Sequence, residues 1–253
     1  MQEPQLEPLS VGKLLDVAFG LYRALFVPLL IVTLVTAAVP LAVSLYVEAA
    51  GGIYGHLPLA FANLLLNIVL GSIGTAAATI IVAENYVGRT LSAGEAFRRA
   101  APFLGRIIVA AVLSTLLMGL GFLLLFIPGL IVAVGLAVTT PALVVEDLDS
   151  ALSAMSRSWS LTRGHRWRIF CALSAVLLLM YIPVVALGGF AATRLTATGL
   201  PGGEELALNA IASLLVALVQ PLLYCLLTVA YYDLRVRKEA YDLELRAAEM
   251  GNT

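Results

Sequence analysis

The chain has 253 residues, of which 61% are hydrophobic and 12% are charged, with a formal net charge of −1 at pH 7. Soluble domains contain roughly 45–50% apolar and about 25% charged residues. This composition excludes a soluble globular fold. The absence of a dense basic patch excludes nucleic acid as a partner.

The first segment, residues 1–25, predicts a helix on the cytoplasmic membrane surface rather than a cleaved secretory signal. It begins with acidic residues and prolines, where a signal peptide would be basic and then apolar. Leu14, Ala18, Leu21 and Leu25 then recur at the spacing of one helix face.

Six apolar runs predict membrane-spanning helices, since about 20 apolar residues cross roughly 30 Å of hydrocarbon. The predicted spans are 26–47, 59–83, 107–127, 130–145, 169–190 and 206–231. The third and fourth come from one uncharged stretch, 107–145, which as a single helix of roughly 58 Å is too long for one crossing. Pro128-Gly129 near its midpoint predicts the turn of a helical hairpin.

The basic residues predict the topology. Fourteen of the 15 lysines and arginines lie in alternate gaps between the spans or beside the termini, and Arg194 is the exception. Basic loops remain in the cytoplasm because translocating them is costly. Both termini and the two basic loops are therefore predicted to be cytoplasmic.

The cytoplasmic loops predict two further surface helices, 91–105 and 148–164. Ser92 and Glu95 form a capping box at the start of the first. In the second, Asp149 is the predicted cap and Arg163-Gly164 the predicted stop. Its predicted apolar face consists of Leu148, Leu152, Met155 and Trp159.

The C-terminal segment, 232–253, predicts a charged cytoplasmic helix that continues the last span, with Arg235 and Glu239 paired at i, i+4. Side chains predicted at the lipid headgroup level are Trp159, Arg163, Trp167, Tyr231, Tyr232 and Arg235. A surface helix followed by an outward and a returning span recurs along the chain, which we interpret as a threefold repeat.

Two stripes of uncharged polar residues mark the candidate site. Asn63, Asn67 and Thr75 share one face of the second span, and Asn209, Ser213, Gln220 and Tyr224 share one face of the sixth. One interpretation is a packing seam between helices, which we favour. The other is a polar cavity, which Pro221 supports because it frees the carbonyl of Ala217.

No catalytic pattern accompanies these stripes. The predicted spans contain no acidic, basic or histidine side chain, and His56 and His165 lie in opposite loops. Cys171 and Cys225 lie in apolar runs, where thiols act as small hydrophobes. We therefore predict no enzymatic activity, no cofactor and no metal.

Several motifs carry a family resemblance: Leu9-Ser10-Val11-Gly12, Leu21-Tyr22-Arg23, Ile127-Pro128-Gly129, residues 157–164 and residues 231–239. In their order the chain resembles bacterial proteins of the glycerophosphoryl diester phosphodiesterase membrane-domain family. The resemblance implies a six-helix module in a bacterial plasma membrane, joined in some relatives to a phosphodiesterase domain. This chain carries none of the acidic metal ligands of that domain in a soluble segment.

Two functions follow from these expectations. The first is a structural or partner subunit of a membrane complex, in contact with lipids and with a protein bound to the surface helices and tail. The alternative is binding or transport of a lipid-derived or amphipathic small molecule in a polar cavity between the second and sixth spans. The sequence does not determine the oligomeric state.

Overall fold

The computed structural model describes residues 9–50, 55–86, 88–198 and 202–251, with side chains except at 191–206 and 240–251. These residues form α-helices with one short 3₁₀ turn and no strand. The helices are α1 (Val11–Ala24), α2 (Phe26–Ala49), α3 (Leu57–Tyr86), α4 (Ala93–Ala100), α5 (Leu104–Leu124), α6 (Phe126–Gly135), α7 (Thr139–Val145), α8 (Ala151–Thr162), α9 (Arg166–Thr198) and α10 (Gly202–Gly251).

Six segments of the described chain are long and apolar enough to cross a membrane, which confirms the predicted number of spans. They are Phe26–Ala49, Leu57–Tyr86, Ala93–Leu124, Phe126–Val145, Arg166–Phe190 and Ala207–Glu239. The protein is a multi-pass membrane protein. A shorter helix precedes each pair of long helices, and the threefold repeat stays a prediction.

The hairpin predicted within residues 107–145 is present, but its turn is not at Pro128-Gly129. The helix breaks at Leu125, whose backbone is extended at φ −163° and ψ 151°. Pro128 is the third residue of α6, in the first turn, where backbone N–H groups have no acceptor within the helix, so proline is tolerated there. At the base of the hairpin, Arg106 donates to the carbonyl of Leu148 at 2.7 Å.

Gly129 has a packing role instead of a turn role. A Cβ atom added to Gly121 of α5 would lie 2.8 Å from the Cα atom of Gly129. One added to Gly129 would lie 2.4 Å from the ring of Phe122. The two glycines therefore allow α5 and α6 to cross at close range.

The fourth span, predicted over 130–145, is present as Phe126–Val145, but it is divided into the two helices α6 and α7. Residues between Gly135 and Thr139 leave the helix, and Pro141 cannot donate to the carbonyl of Ala137. The carbonyl of Gly135, at the end of α6, accepts hydrogen bonds from Ser158 Oγ at 2.9 Å and Thr162 Oγ1 at 3.3 Å. Helix α8 thus satisfies a carbonyl that the break would leave unpaired.

A helix is present where the second surface helix was predicted, with the bounds Ala151–Thr162, but its cap differs, and contact of its apolar face with the membrane stays a prediction. Ser150, not Asp149, accepts the capping hydrogen bond, from the N–H of Ser153 at 3.1 Å. Leu152, predicted to be on the apolar face, is 67% exposed. The buried residues are Ala151, Ala154, Met155, Ser158, Leu161 and Thr162. Small side chains let α8 approach its neighbours α5, α6, α7 and α10, and this contact determines the face that is buried.

Helix α1 agrees with the sequence in its buried face, and helix α4 agrees with it in its cap. Ser10 caps α1, which buries Leu14 and Ala18, followed by buried Leu25. The capping box of α4 is complete, with Ser92 and Glu95 each accepting from the backbone N–H of the other. The location of these helices on a membrane surface stays a prediction.

The core lies toward one end of the bundle. We call this the basic end, because Arg99, Arg106, Arg157, Arg168 and Arg235 lie there. Helix α10 contacts α1, α2, α3, α7, α8 and α9, and α3 is buried from residue 76 to residue 82. At the opposite end fewer side chains are buried, and residues 123–127 at the hairpin tip are 68% exposed or more. The helices are therefore more tightly packed at the basic end than at the other.

A buried ion cluster holds the N-terminal segment against α9 and α10. The carboxylate of Asp233, whose side chain is 3% exposed, pairs with Arg168 at 3.3 Å and Arg237 at 3.0 Å. It also accepts from the N–H of Leu9 at 2.9 Å, and Arg237 donates to the Leu9 carbonyl at 2.7 Å. Charge pairs and backbone hydrogen bonds together fix the start of α1.

A second network joins α8 to α10 at the same end. Arg157 pairs with Glu146 at 2.9 Å and with Glu239 at 2.8 Å, and Arg235 pairs with Glu239 at 2.8 Å. Burial lowers the pKa of Arg157, but its hydrogen bonds and charge interactions with the two glutamates leave the pKa raised. The Arg235–Glu239 pair is the one predicted for the C-terminal helix, which continues unbroken from the last span.

Candidate binding cavity

A cavity of about 920 Å³ lies between α2, α3 and α10, with Val184 of α9 at one side. Its polar lining residues are Thr33, Thr36, Ser44, Glu48, Asn67, Asn209, Ser213, Gln220 and Tyr224. It extends from the level of Thr33 to that of Glu48, which is roughly 22 Å of helix rise. It therefore occupies the part of the bundle where the helices separate.

The structure places five of the seven predicted stripe residues at this cavity: Asn67, Asn209, Ser213, Gln220 and Tyr224. Asn63 and Thr75 are not among its lining residues. Asn63 Nδ2 donates to Ser44 Oγ of α2 at 2.8 Å, which is a contact between helices. Thr75 Oγ1 donates to the Gly71 carbonyl of its own helix at 2.9 Å.

The third polar wall, on α2, was missed by the sequence argument. Thr33, Thr36, Ser44 and Glu48 line the cavity together with Pro40. Their spacing of three, four or eight residues along one helix face is the signal that could have identified them. Glu48 was assigned to an external loop, whereas it lies in the last turn of α2.

The cavity ends at a close meeting of three helices. A Cβ atom added to Gly74 of α3 would lie 2.9 Å from Thr36 Oγ1 and 3.3 Å from the Tyr224 hydroxyl oxygen. The side chain of Tyr224 is 3% exposed, and its hydroxyl lies close to Gln220 and Thr33. These residues form the floor and separate the cavity from the packed core.

Two prolines release backbone carbonyls at the cavity wall. Pro40 lacks the N–H that would bond to the carbonyl of Thr36, and Pro221 lacks the one for Ala217. Both Thr36 and Ala217 line the cavity. Freed backbone at membrane depth is tolerated where it is buried in protein or lines a polar cavity.

Only some of the stripe residues make hydrogen bonds between helices, so these bonds support the packing-seam interpretation only in part. Asn63 joins α3 to Ser44 of α2, and the amide of Asn209 donates to the carboxylate of Glu48, also on α2. By contrast, Asn67 Nδ2 donates within α3, to the Asn63 carbonyl at 2.9 Å. The helices are thus joined at the opposite end, and among the described residues Asn67 makes its hydrogen bond within α3 and none to another helix.

A smaller pocket of about 220 Å³ lies on the other side of α3, beside the break of the fourth span. Asn67 and Gly71 line both spaces. The small pocket is further lined by Ser114 and Thr115 of α5 and by Thr139 and Thr140 of α7, among others. Polar side chains of the second span therefore line both the cavity and the smaller pocket.

The predicted headgroup residues divide into exposed and buried ones. Trp167 is 75% exposed and Arg163 is exposed, while Trp159 is 38% exposed and lies against Gly135. The guanidinium of Arg166 stacks over the Trp159 ring at 3.9 Å from its centroid. A place for Trp159, Arg163 and Trp167 at the headgroups stays a prediction.

Tyr231 does not fit the prediction of a lipid anchor. It is 0% exposed, and its hydroxyl donates to Glu146 Oε1 at 2.8 Å. The acceptor on the loop after α7 explains this burial, because a buried hydroxyl needs a hydrogen-bond partner. Tyr232 is half-buried beside Tyr86, at 5.2 Å between ring centroids, and Arg235 is half-buried in its ion pair.

Comparison with known proteins gives a family and a relative. The chain is 33% identical over 105 residues to a UPF0259 membrane protein of Pectobacterium carotovorum subsp. carotovorum (strain PC1). That alignment covers 42% of this chain and 40% of the relative, so the chain matches less than half of the relative's length. No solved structure matches the chain. The family described as the membrane domain of glycerophosphoryl diester phosphodiesterase matches residues 106–250, more than half of the chain, and the chain belongs to this family.

Proposed function

We propose that this protein is a non-catalytic integral membrane protein that binds a lipid-derived or other amphipathic small molecule in the cavity between α2, α3 and α10. The observation that carries the proposal is the cavity itself, at which the polar faces of three spans meet. Its volume of about 920 Å³ lies within the range of roughly 300–1,000 Å³ for small-molecule sites.

The lining supports an amphipathic ligand. Apolar side chains, including Leu41, Leu45 and Val184, alternate with the polar groups around the cavity. Leu34 and Leu214 also line it, and they are 44% and 51% exposed on the surface of the bundle. A molecule with an apolar chain can therefore reach the cavity from the bilayer.

We further propose that the protein lies in a bacterial plasma membrane with its basic end in the cytoplasm. The arginines of that end support this orientation through the positive-inside rule. The cavity then lies in the outer half of the membrane and extends toward its middle.

A second function, that of a partner subunit, is supported by the length of α10. This helix continues to Gly251, about 20 residues past Tyr231, which is roughly 30 Å of helix. Such an extension offers a surface to a protein partner beyond the membrane. A protein of this kind would keep its partner when the cavity is filled, so the two functions can be separated by experiment.

Native mass spectrometry of protein taken directly from membranes tests the binding function. Ala212 lines the cavity, whereas Ala210, two residues away on α10, does not. We expect the wild type and Ala210→Phe to carry a copurifying lipid or amphipath, and Ala212→Phe to lose it. A wild type that carries nothing, or equal loss in both variants, would refute binding in this cavity.

A further inference from the structure

We infer that the polar end of the ligand is a protonated amine, held at the carboxylate of Glu48. This inference rests on the proposed binding function and adds the chemical class of the ligand. It is drawn from the charge and the hydrogen-bonding capacity of the cavity wall. An amine-bearing lipid and a free long-chain amine share this chemistry, and the experiment below separates them.

The cavity wall carries negative charge and no positive charge among the described residues. Glu48 is the one carboxylate in the described lining, and the lining contains no lysine, arginine or histidine. At the basic end, arginines pair with carboxylates of the protein, as Arg168 does with Asp233. An anionic head group would meet no counter-charge in the described wall, whereas a cationic one meets Glu48.

Three hydroxyl groups of the wall, those of Thr33, Thr36 and Ser213, have already used their protons. Thr33, Thr36 and Ser213 each donate to the backbone carbonyl four residues earlier, at 3.0, 2.9 and 2.8 Å. A hydroxyl has a single proton and two acceptor lone pairs. These three side chains are therefore left with acceptors to offer to a ligand.

The side chains of Asn67 and Asn209 also leave acceptors free for a ligand. Asn67 donates from its nitrogen to the Asn63 carbonyl, and Asn209 donates from its nitrogen to Glu48. The nitrogens of these two amides are thus turned toward acceptors of the protein, and within the described part of the chain their oxygens accept no hydrogen bond. The carboxylate of Glu48 has about four lone-pair sites in total, more than the contact with Asn209 requires.

Backbone carbonyls add further acceptors. Pro40 and Pro221 free the carbonyls of Thr36 and Ala217, both at the wall. The groups on Thr33, Thr36, Asn67, Asn209, Ser213 and Glu48 and on the freed backbone therefore offer mainly acceptors to a ligand. A primary ammonium, with three donors, one charge and no acceptor, complements such a wall, and its bond to a carboxylate is charge-assisted. A phosphate or carboxylate would place acceptors against acceptors.

Binding of paired probes to the protein in phosphatidylcholine nanodiscs tests the inference, because choline has no N–H donor. Dodecylamine and dodecanol share an apolar chain and differ in the amine. Phosphatidylethanolamine, added to the nanodisc, tests an amine that belongs to a lipid. We expect dodecylamine to bind at least about tenfold more tightly than dodecanol, as one ion pair at a partly enclosed site allows.

Three variants test whether the negative charge of Glu48 determines the preference for the amine. Glu48→Gln keeps an acceptor for Asn209 and should abolish the preference for the amine, while Glu48→Asp should retain it. Glu84→Gln removes a carboxylate of α3 at the basic end, which pairs with Arg99 at 2.6 Å, and should leave the preference unchanged. Melting temperatures of all variants identify any that fail to fold, and Glu48→Asp then still separates charge from packing.

The outcomes are distinct. Equal binding of amine and alcohol, or an amine preference that survives Glu48→Gln, would overturn the amine inference and leave the binding function standing. Binding of neither probe, with no copurifying lipid, would overturn both. Preference for dodecylamine without enrichment of phosphatidylethanolamine would assign the site to a free amphipathic amine, and enrichment of both would assign it to an amine lipid.

Discussion

Replacement of Asp233 by asparagine tests how far the basic end stabilises the bundle. The side chain of Asp233 is 3% exposed, and each of its two arginine partners is 19% exposed. Asparagine keeps an oxygen that can accept from the N–H of Leu9. It removes the negative charge between Arg168 and Arg237, so two neighbouring cations remain without a counter-charge.

The expected cost is large for one substitution. Removing one partner of a buried ion pair costs about 3–5 kcal/mol, because the remaining charge stays away from water. The partial exposure of the two arginines places the expected cost near the low end, at about 3 kcal/mol. A chain of this size changes its melting temperature by about 2–4 °C per kcal/mol, so a decrease of roughly 6–12 °C is expected.

Thermal unfolding of the detergent-purified protein, followed by intrinsic fluorescence, measures this change. Glu239→Gln is the matched control, since Glu239 also contacts two arginines but its side chain is 47% exposed. Exposed ion pairs contribute about 0–1 kcal/mol, so its melting temperature should fall by less than about 4 °C. Equal decreases for both variants would show that burial does not control the cost, and would refute the reasoning.

Two further predictions concern helix packing and orientation. Gly135→Ala places a Cβ atom 2.5 Å from the ring of Trp159 and should cost about 1–3 kcal/mol, whereas Gly105→Ala meets nothing within 4 Å and should be neutral or stabilising by up to about 1 kcal/mol. Chemical unfolding compares the two, and a similar loss in both would contradict the close contact. In a cysteine-free background, Gly55→Cys should react with a membrane-impermeant thiol reagent added outside intact cells and Arg89→Cys should not. The reverse labelling would invert the proposed orientation.

The sequence alone was sufficient for features that depend on residues close together in the chain. The number of spans follows from the lengths of apolar runs, and the capping box of α4 follows from Ser92 and Glu95, three residues apart. The hairpin followed from a stretch too long for one crossing. These properties need no knowledge of neighbouring helices, because hydrophobic length and capping act locally.

Tertiary structure decided which face of each helix is buried and where the helices break. Helix α8 buries Ala154 against its neighbours and leaves Leu152 exposed, because small side chains permit the close approach that these neighbours require. Tyr231 is buried because Glu146, far away in the chain, offers it an acceptor. Neither the helices that pack against α8 nor the acceptor for Tyr231 can be identified from the local sequence.

Both the local sequence and the arrangement of the helices determine the candidate site. The four polar residues predicted on α10, which are Asn209, Ser213, Gln220 and Tyr224, all line the cavity, whereas of the three predicted on α3 only Asn67 does. Whether such stripes are in contact or separated depends on how the helices are arranged. Here the basic end is tightly packed around α10, whereas toward Glu48 the spans meet through hydrogen bonds at the margin of a space, so their polar faces line a cavity that no single span could reveal.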